Sequence, residues 1–446
     1  MTSIKQLESP LTEAIAALFD RRELSNQDGW SAYRKAAMQE FGRLGFPSVK
    51  NEEWRFTNIL PLVKTEYVLD EMAAISEADM ARVQSLVQEH CAGIYSAEEV
   101  YRLVLVNGAI VPSLSVLPAQ EGVSIQSLRA AQEHPQCQAH FGTVLQIKDN
   151  AFAALNSAMF EDGLFVHIAD RVALEKPLHV VKVLLGTEAT MHHSRDLFVL
   201  GKHAELKVIE TYITDIAAPV LVNAAAEVVL AENAMFDHYD VQKADNNLRI
   251  IQRTEATQNK HSNYSNYIFT FPGAAFVRNN LALHLNEADL ESHLYGLYIS
   301  AATQLVDNHT EVHHKMPRGE SNQLYKGIVM DNSRAVFNGK IFVYQDAQKT
   351  NAFQQSNNIL FSDNATVHAK PQLEIFADDV KCSHGSTIGQ LNKDAMFYLR
   401  SRGIGEQQAK QLMVEAFAYD VVEKVKLPFL KEYLNQMMVA DMGNQK

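Results

Sequence analysis

The feature that most restricts the fold of this chain is a recurrence. Across residues 233–367 a small or polar turn is repeatedly followed by a short alternating strand. It occurs at Asn233-Ala234-Met235-Phe236, Gly273-Ala274-Ala275-Phe276, Glu287-Ala288-Asp289-Leu290, Asn332-Ser333-Arg334-Ala335-Val336 and Asn364-Ala365-Thr366-Val367. The turn alanines lie 13 residues apart from Ala275 to Ala288, 14 from Ala288 to Ala302, and 30 from Ala335 to Ala365. Such intervals are half and whole coils of one stacked unit, in which each coil covers its neighbour's hydrophobic face. Asn338-Gly339 is a hairpin dipeptide, yet the strands on either side of it already keep the coil interval. The spacing therefore predicts a mainly β chain built on a parallel β-helix, rather than an antiparallel sandwich.

Helical patterns stand before and after this region. Leu11, Ala14, Ile15, Leu18 and Phe19 recur at helical spacing, as do Met80, Val83, Leu86 and Val87. Short β-branched runs begin near Tyr101, a helical island interrupts them at Ala151–Met159, and helices return after Leu391. The reading gives an N-terminal helical domain over 1–100 and a β-helix core over 101–390, with the island near 147–160. A C-terminal helical domain follows over 391–446. Open coils and sheet edges need cover, so the helical ends are expected to cap the solenoid. Trp54 and Phe56, beside the break at Pro61, are expected to anchor the N-terminal cap.

Charge and cysteine usage narrow the function classes. With 40 Lys+Arg against 53 Asp+Glu the formal charge is -13, which disfavours nucleic acid and anionic membranes. The three cysteines Cys91, Cys137 and Cys382 are too scattered for a disulfide framework. Residues 1–8 lack the basic and apolar regions of a signal peptide. The most apolar window, 217–231, is interrupted by Pro219, Asn223 and Glu227 and is too short to span a bilayer. A cytoplasmic protein is expected.

The usual catalytic signatures are missing. The sequence has no P-loop, no Gly-x-Gly-x-x-Gly after a first strand, and no Gly-x-Ser-x-Gly elbow. Two constellations remain. Cys382 and His384 are soft donors whose i, i+2 spacing places them on one face of a strand, although two ligands do not complete a zinc site. Asp307, His309, Glu311 and His313 likewise share a strand face, as either a carboxylate and imidazole metal patch or a solvated coil face. His192 and His193 would point to opposite faces of a strand and receive no role. Cys91 and Cys137 read as small buried hydrophobes.

Five ordered blocks carry a resemblance: Gln323-Leu324-Tyr325-Lys326-Gly327-Ile328, Val336-Phe337-Asn338-Gly339-Lys340-Ile341, Asp346-Ala347-Gln348-Lys349-Thr350, residues 370–385, and Phe397-Tyr398-Leu399-Arg400-Ser401-Arg402-Gly403-Ile404. Together with the looser Glu53-Trp54-Arg55 and Phe152-Ala153-Ala154-Leu155-Asn156 elements, they resemble the SufB/SufD family of iron–sulfur cluster assembly proteins. Asp378-Asp379-Val380-Lys381-Cys382-Ser383-His384-Gly385 looks like the SufD version. Phe376 and Ser386 stand where the family often has Tyr and Ala.

The resemblance implies a right-handed parallel β-helix between helical domains and a non-catalytic scaffold role. It implies pairing with SufB through the β-helices and binding of the SufC ATPase, which would supply the nucleotide chemistry missing here. His384, with Cys382 beside it, would lie at the SufB interface, where this imidazole and a SufB cysteine support a transient iron–sulfur cluster or iron. Protonation competes with iron for an imidazole, so such a site weakens in acid. SufC would dock on the C-terminal helices around Ala409, Leu412, Met413, Ala416 and Phe417, an apolar stripe that is otherwise core. Reduced flavin is associated with such complexes, but no residue here is assigned to it. Two other readings stand beside this one: a stand-alone carbohydrate-active β-helix enzyme using residues 307–314, and an architectural homodimer paired through an exposed edge.

Overall fold

The computed structural model describes residues 9–25, 28–69, 76–96 and 98–443. Its strands alternate between a ten-stranded and a nine-stranded sheet. Through most of the chain each strand pairs in parallel with the strand two places earlier, so the backbone winds as a coil. In one sheet Arg249, Phe276, Leu305, Arg334 and Thr366 stack in register at steps of 27 to 32 residues. Glu291, Glu320, Asn351 and Lys381 do the same in the other. This is the parallel β-helix that the recurrence predicts. One interval differs: Ala335 lies on Val367 rather than Ala365, because the connection after Val343 is longer than the one after His314. Asn338-Gly339 runs straight through the Arg334–Val343 strand without turning.

Strand alternation sorts the side chains. Val306, Val312, Ala335, Phe337, Ile341 and Val343 point inward and are buried in one continuous lumen core. Each of these Val, Ile and Phe side chains contributes about 1.5–3 kcal/mol on full burial. At one corner His203, Asn233, His261, Asp289, Arg318 and Lys349 occupy the left-handed region, with φ between 57° and 64°. The small Ala204, Ala234 and Ala347 fill the tight inner side of the corners.

The helices line the flanks of the solenoid instead of closing its ends, which corrects the capping expectation. Leu11, Ile15, Phe41, Leu155 and Met159 pack on Leu221, Ile251 and Phe276 of the nine-stranded sheet. Glu77–Ala92 covers the ten-stranded sheet, with Val83, Val87 and Cys91 in one cluster with Val181 and Val183. The C-terminal Glu406–Val422 and Pro428–Gly443 helices lie on Tyr239, Tyr267, Tyr295 and Leu297 of that sheet. Helices have apolar stripes that need a surface, and the flanks offer more of it than an end does. The first coil carries antiparallel additions, Ala109–Ile110 on Tyr101–Val106 and Val123–Ser127 on Leu164–Ile168. At the other end Thr366–Ile375 and Lys381–Gln390 each have one strand neighbour.

The island forms the Ala151–Met159 helix, buried from Phe152 onward. The Asn150 side chain caps it by accepting from the Ala153 N–H at 3.1 Å. Asn156 then donates to the Ser194 and Asn223 carbonyls, each at 2.8 Å. Trp54 does anchor the N-terminal layer, packing on Phe152 at 5.3 Å. Phe56 is half exposed and stacks instead on His368 of the solenoid. Among the described residues no helix is long and apolar enough to cross a membrane.

Candidate functional site at the open end and along the flank

Cys382 and His384 lie on the last strand of the ten-stranded sheet, stacked over Ala352 and Gln354. Ala352 belongs to the lumen core and Gln354 is buried, so both side chains share the row that faces the lumen at its open end. Cys382 packs against that core and is half-buried, and burial pushes its thiol up. His384 is exposed, as are Ser383 and every residue of the strand after it. Around this end Ile375, Phe376 and Ile388 are also exposed, Phe376 by 61%. The two donors therefore share one face, as their spacing predicts. Among the described residues no group of three or more His, Cys, Asp or Glu side chains is placed to hold a metal ion.

The 307–314 segment forms the Leu305–His314 strand. Asp307, His309, Glu311 and His313 do project to one face, but Arg278 and the neighbouring imidazoles already engage the carboxylates. Arg278 pairs with Asp307, which also accepts from Thr57 at 2.6 Å and meets His309 at 2.8 Å. Burial would raise the Asp307 pKa, but Arg278 and His309 hold it below its usual value. Burial opposes the same effect at Glu53, which His309 and Lys340 hold down to about 2. The His313 hydrogen bond holds Glu311 down to about 2. Glu53, His309, Glu311 and His313 line a cleft of about 1190 Å³ between the N-terminal layer and the sheet.

The doublet plays no joint part. His192 meets Thr190 at 3.1 Å and His193 meets Asn223 at 3.3 Å, while burial lowers the two to about 4 and about 3. Cys91 and Cys137 are buried free thiols, the latter pushed up to about 11 by burial.

Sequence reasoning missed a charged cluster inside the lumen. Lys182 pairs with Glu210, which meets His238 at 2.9 Å, and His238 contacts the Tyr264 hydroxyl at 3.3 Å. Asp196 lies 3.9 Å from Lys182. Asp240 accepts from Gln242 at 2.8 Å and Gln252 at 2.6 Å, and its other oxygen is unpartnered. A cavity of about 30 Å³ touches Lys182, Asp196, Glu210, His238 and Asp240, room for one water. Burial pushes Asp196 and Asp240 up to about 6. The sequence held a weak signal for this cluster: Lys182, Glu210 and His238 recur 28 residues apart, close to one coil, although the strands pair Lys182 with Tyr212 and Glu210 with Val180 and Asp240, so the three meet diagonally between neighbouring coils.

The stripe on the Glu406–Val422 helix divides. Ala409 is buried, Leu412 and Ala416 are exposed, and Met413 and Phe417 are half-buried. Lys326 sits 4.8 Å from the Phe417 ring. The face that holds the helix to the sheet is Val414, Ala418, Val421 and Val422. Nearby, the Tyr267 hydroxyl donates to the Lys424 carbonyl at 3.1 Å. The Lys393–Ser401 helix buries no residue and leaves Phe397 and Tyr398 exposed.

Comparison with known proteins agrees with this architecture. Residues 183–417 match the SufBD core domain of the SUF system for iron–sulfur cluster assembly, and residues 18–180 match the SufBD N-terminal region. The chain is 32% identical over 417 residues to a SufBD family iron–sulfur cluster assembly protein of Synechocystis, covering 90% of this chain and 89% of that one. It is 30% identical over 419 residues to the iron–sulfur cluster assembly protein SufD of Escherichia coli, covering 92% and 91%. A SufD of Bacillus subtilis is 24% identical over 432 residues, covering 90% and 91%. Because the core match alone spans more than half of the residues and most of the coils, the chain belongs to the SufBD family of iron–sulfur cluster assembly proteins.

Proposed function

We propose that this chain is the SufD-type scaffold subunit of a SUF assembly complex and is not itself a catalyst. Its open end receives the β-helix of SufB. Its C-terminal helices hold the SufC ATPase through the exposed Phe397, Tyr398, Leu412 and Ala416, and SufC supplies the P-loop that this sequence lacks. His384, with Cys382 beside it, offers donors to iron or a nascent cluster shared with a SufB cysteine. Reduced flavin, where the complex uses it, provides electrons without an assigned residue on this chain.

The observation that carries this reading is the bare last strand. Lys381–Gln390 has a single neighbour and presents His384 at the mouth of the lumen. An unpaired edge is a template for another chain's strand. The test is co-purification with SufB and SufC, followed by cluster reconstitution. His384→Ala is expected to keep the fold and SufC binding while lowering cluster yield. An unchanged yield sinks the ligand role, and failure to bind SufB sinks the pairing.

The homodimer remains the second reading because the same edge can pair with a copy of itself, which light scattering of the isolated chain reads. The carbohydrate-enzyme reading loses support in the cleft. A glycosidase keeps one carboxyl protonated near neutral pH, whereas Glu53, Glu255 and Glu311, which line the cleft, all have lowered values.

A further inference from the structure

Residues 51–57 cross the outer face of the nine-stranded sheet and touch four successive strands. On Phe276–Leu285, Arg278 donates to the Glu53 carbonyl at 3.0 Å and stacks on Trp54 at 3.8 Å. On Leu305–His314, Asp307 accepts from Thr57 and His309 lies 3.4 Å from Glu53. On Arg334–Val343, Asn338 and Lys340 donate to the two Glu53 oxygens at 3.0 and 2.5 Å. On Thr366–Ile375, Lys370 donates to Glu52 at 2.5 Å and His368 stacks on Phe56 at 4.1 Å, the rings 11° apart. The rungs contacted are neighbours in register, so a segment running across the strands meets a new one about every 4.8 Å.

We infer that residues 51–57 are a strap that pins the last coils of the nine-stranded sheet, leaving Lys381–Gln390 as the free edge of the open end. Both terminal strands have one hydrogen-bonded neighbour. Thr366–Ile375 gains a second set of contacts from the strap across its outer face, whereas Lys381–Gln390 is exposed along nearly its whole length. The two edges are thus unequal. The strap ties the stiffer one to the helical layer, and strand-by-strand opening of the solenoid starts at the other. This asymmetry belongs to the isolated chain, in which no partner covers the Lys381–Gln390 edge.

Hydrogen exchange read by mass spectrometry on the full-length chain tests it. In the parent, amides of 366–375 are expected to exchange more slowly than those of 381–390. The double variant Glu52→Gln/Phe56→Ala removes the terminal ion pair and the ring stack, both at accessible side chains. It should speed exchange of 366–375 roughly tenfold, the factor that one exposed ion pair and one ring stack together supply. Exchange of 276–285 should stay unchanged. Glu53→Gln should extend the effect to 334–343. Equal exchange of the two edges in the parent overturns the inference, as does an unchanged 366–375 in the double variant. Acceleration across the whole protein also overturns it, because residues 51–57 would then be general support and not a local clamp.

Discussion

The attachment of the helical layer to the solenoid turns on one buried ion pair, and Glu227→Ala tests it directly. Arg195 and Glu227 are both 0% exposed and meet at 2.7 Å. Glu227 also accepts from the Gly142, Val144 and Leu145 N–H groups at 2.8, 2.8 and 2.9 Å. Arg195 donates to Ser157 at 3.2 Å and Tyr33 at 3.0 Å. Burial works against its charge, but Glu227 and Tyr33 hold the guanidinium above its usual pKa. Removing the carboxylate strands a buried cation, a loss of about 3–5 kcal/mol. It also frees three N–H groups, whose penalty of about 1–3 kcal/mol each is partly relieved by water entering the vacated space. We expect a total of about 4–6 kcal/mol. Glu227→Gln, which keeps an acceptor, should lose about half as much. Urea unfolding followed by tryptophan fluorescence reads this: of the two tryptophans, Trp30 packs on Phe141 and Phe160, and Arg195 lies over the Phe141 ring, while Trp54 packs on Phe152 elsewhere in the same helical layer. A loss below about 1 kcal/mol for Glu227→Ala would refute the reasoning, since it is smaller than one unmet buried N–H.

Asp240 gives a pH signature. Burial and Glu210 raise it to about 6, above its value of about 3.9 in the unfolded chain. The folded state therefore holds the proton more tightly, and this stabilisation is full below about pH 4 and lost as pH rises through about 6. Asp240→Asn cannot ionise and should gain about 1–3 kcal/mol over the parent above pH 6 and little near pH 4; thermal melts with a pH-independent difference would contradict this. A Cβ on Gly327 would overlap the Tyr298 ring and the Asn358 amide oxygen. Gly327→Ala should cost about 1–3 kcal/mol by overpacking, seen as a lower melting temperature, and an unchanged melt would show that the lumen has slack there. Phe397→Ala/Tyr398→Ala alters exposed rings only, so circular dichroism should be unchanged while SufC capture falls; full capture moves the docking surface elsewhere.

Legibility in the sequence followed the range of the interactions. Strand identity and coil spacing were readable because alternation and turn chemistry are local, as were the Ala151–Met159 helix and the shared faces of Cys382/His384 and Asp307/His309/Glu311/His313. The same local pattern misplaced part of the C-terminal stripe. Ala409 to Phe417 repeats at helical spacing, but the sheet selected Val414, Ala418, Val421 and Val422 as the buried side. The metal-patch reading of Asp307 gave way to Arg278, a partner 29 residues away and one coil below.

What the sequence alone determined is the repeat, the helical segments on either side of it and, through the ordered blocks, the family. Tertiary structure decided which faces the helices cover, which end stays open, how the 51–57 strap reaches four coils, and that Lys182, Glu210 and His238 meet in the lumen. Each of these depends on the register between coils and on docking between distant segments. A change of a residue or two in one corner connection shifts every rung after it, so those contacts exist only once the whole stack has formed.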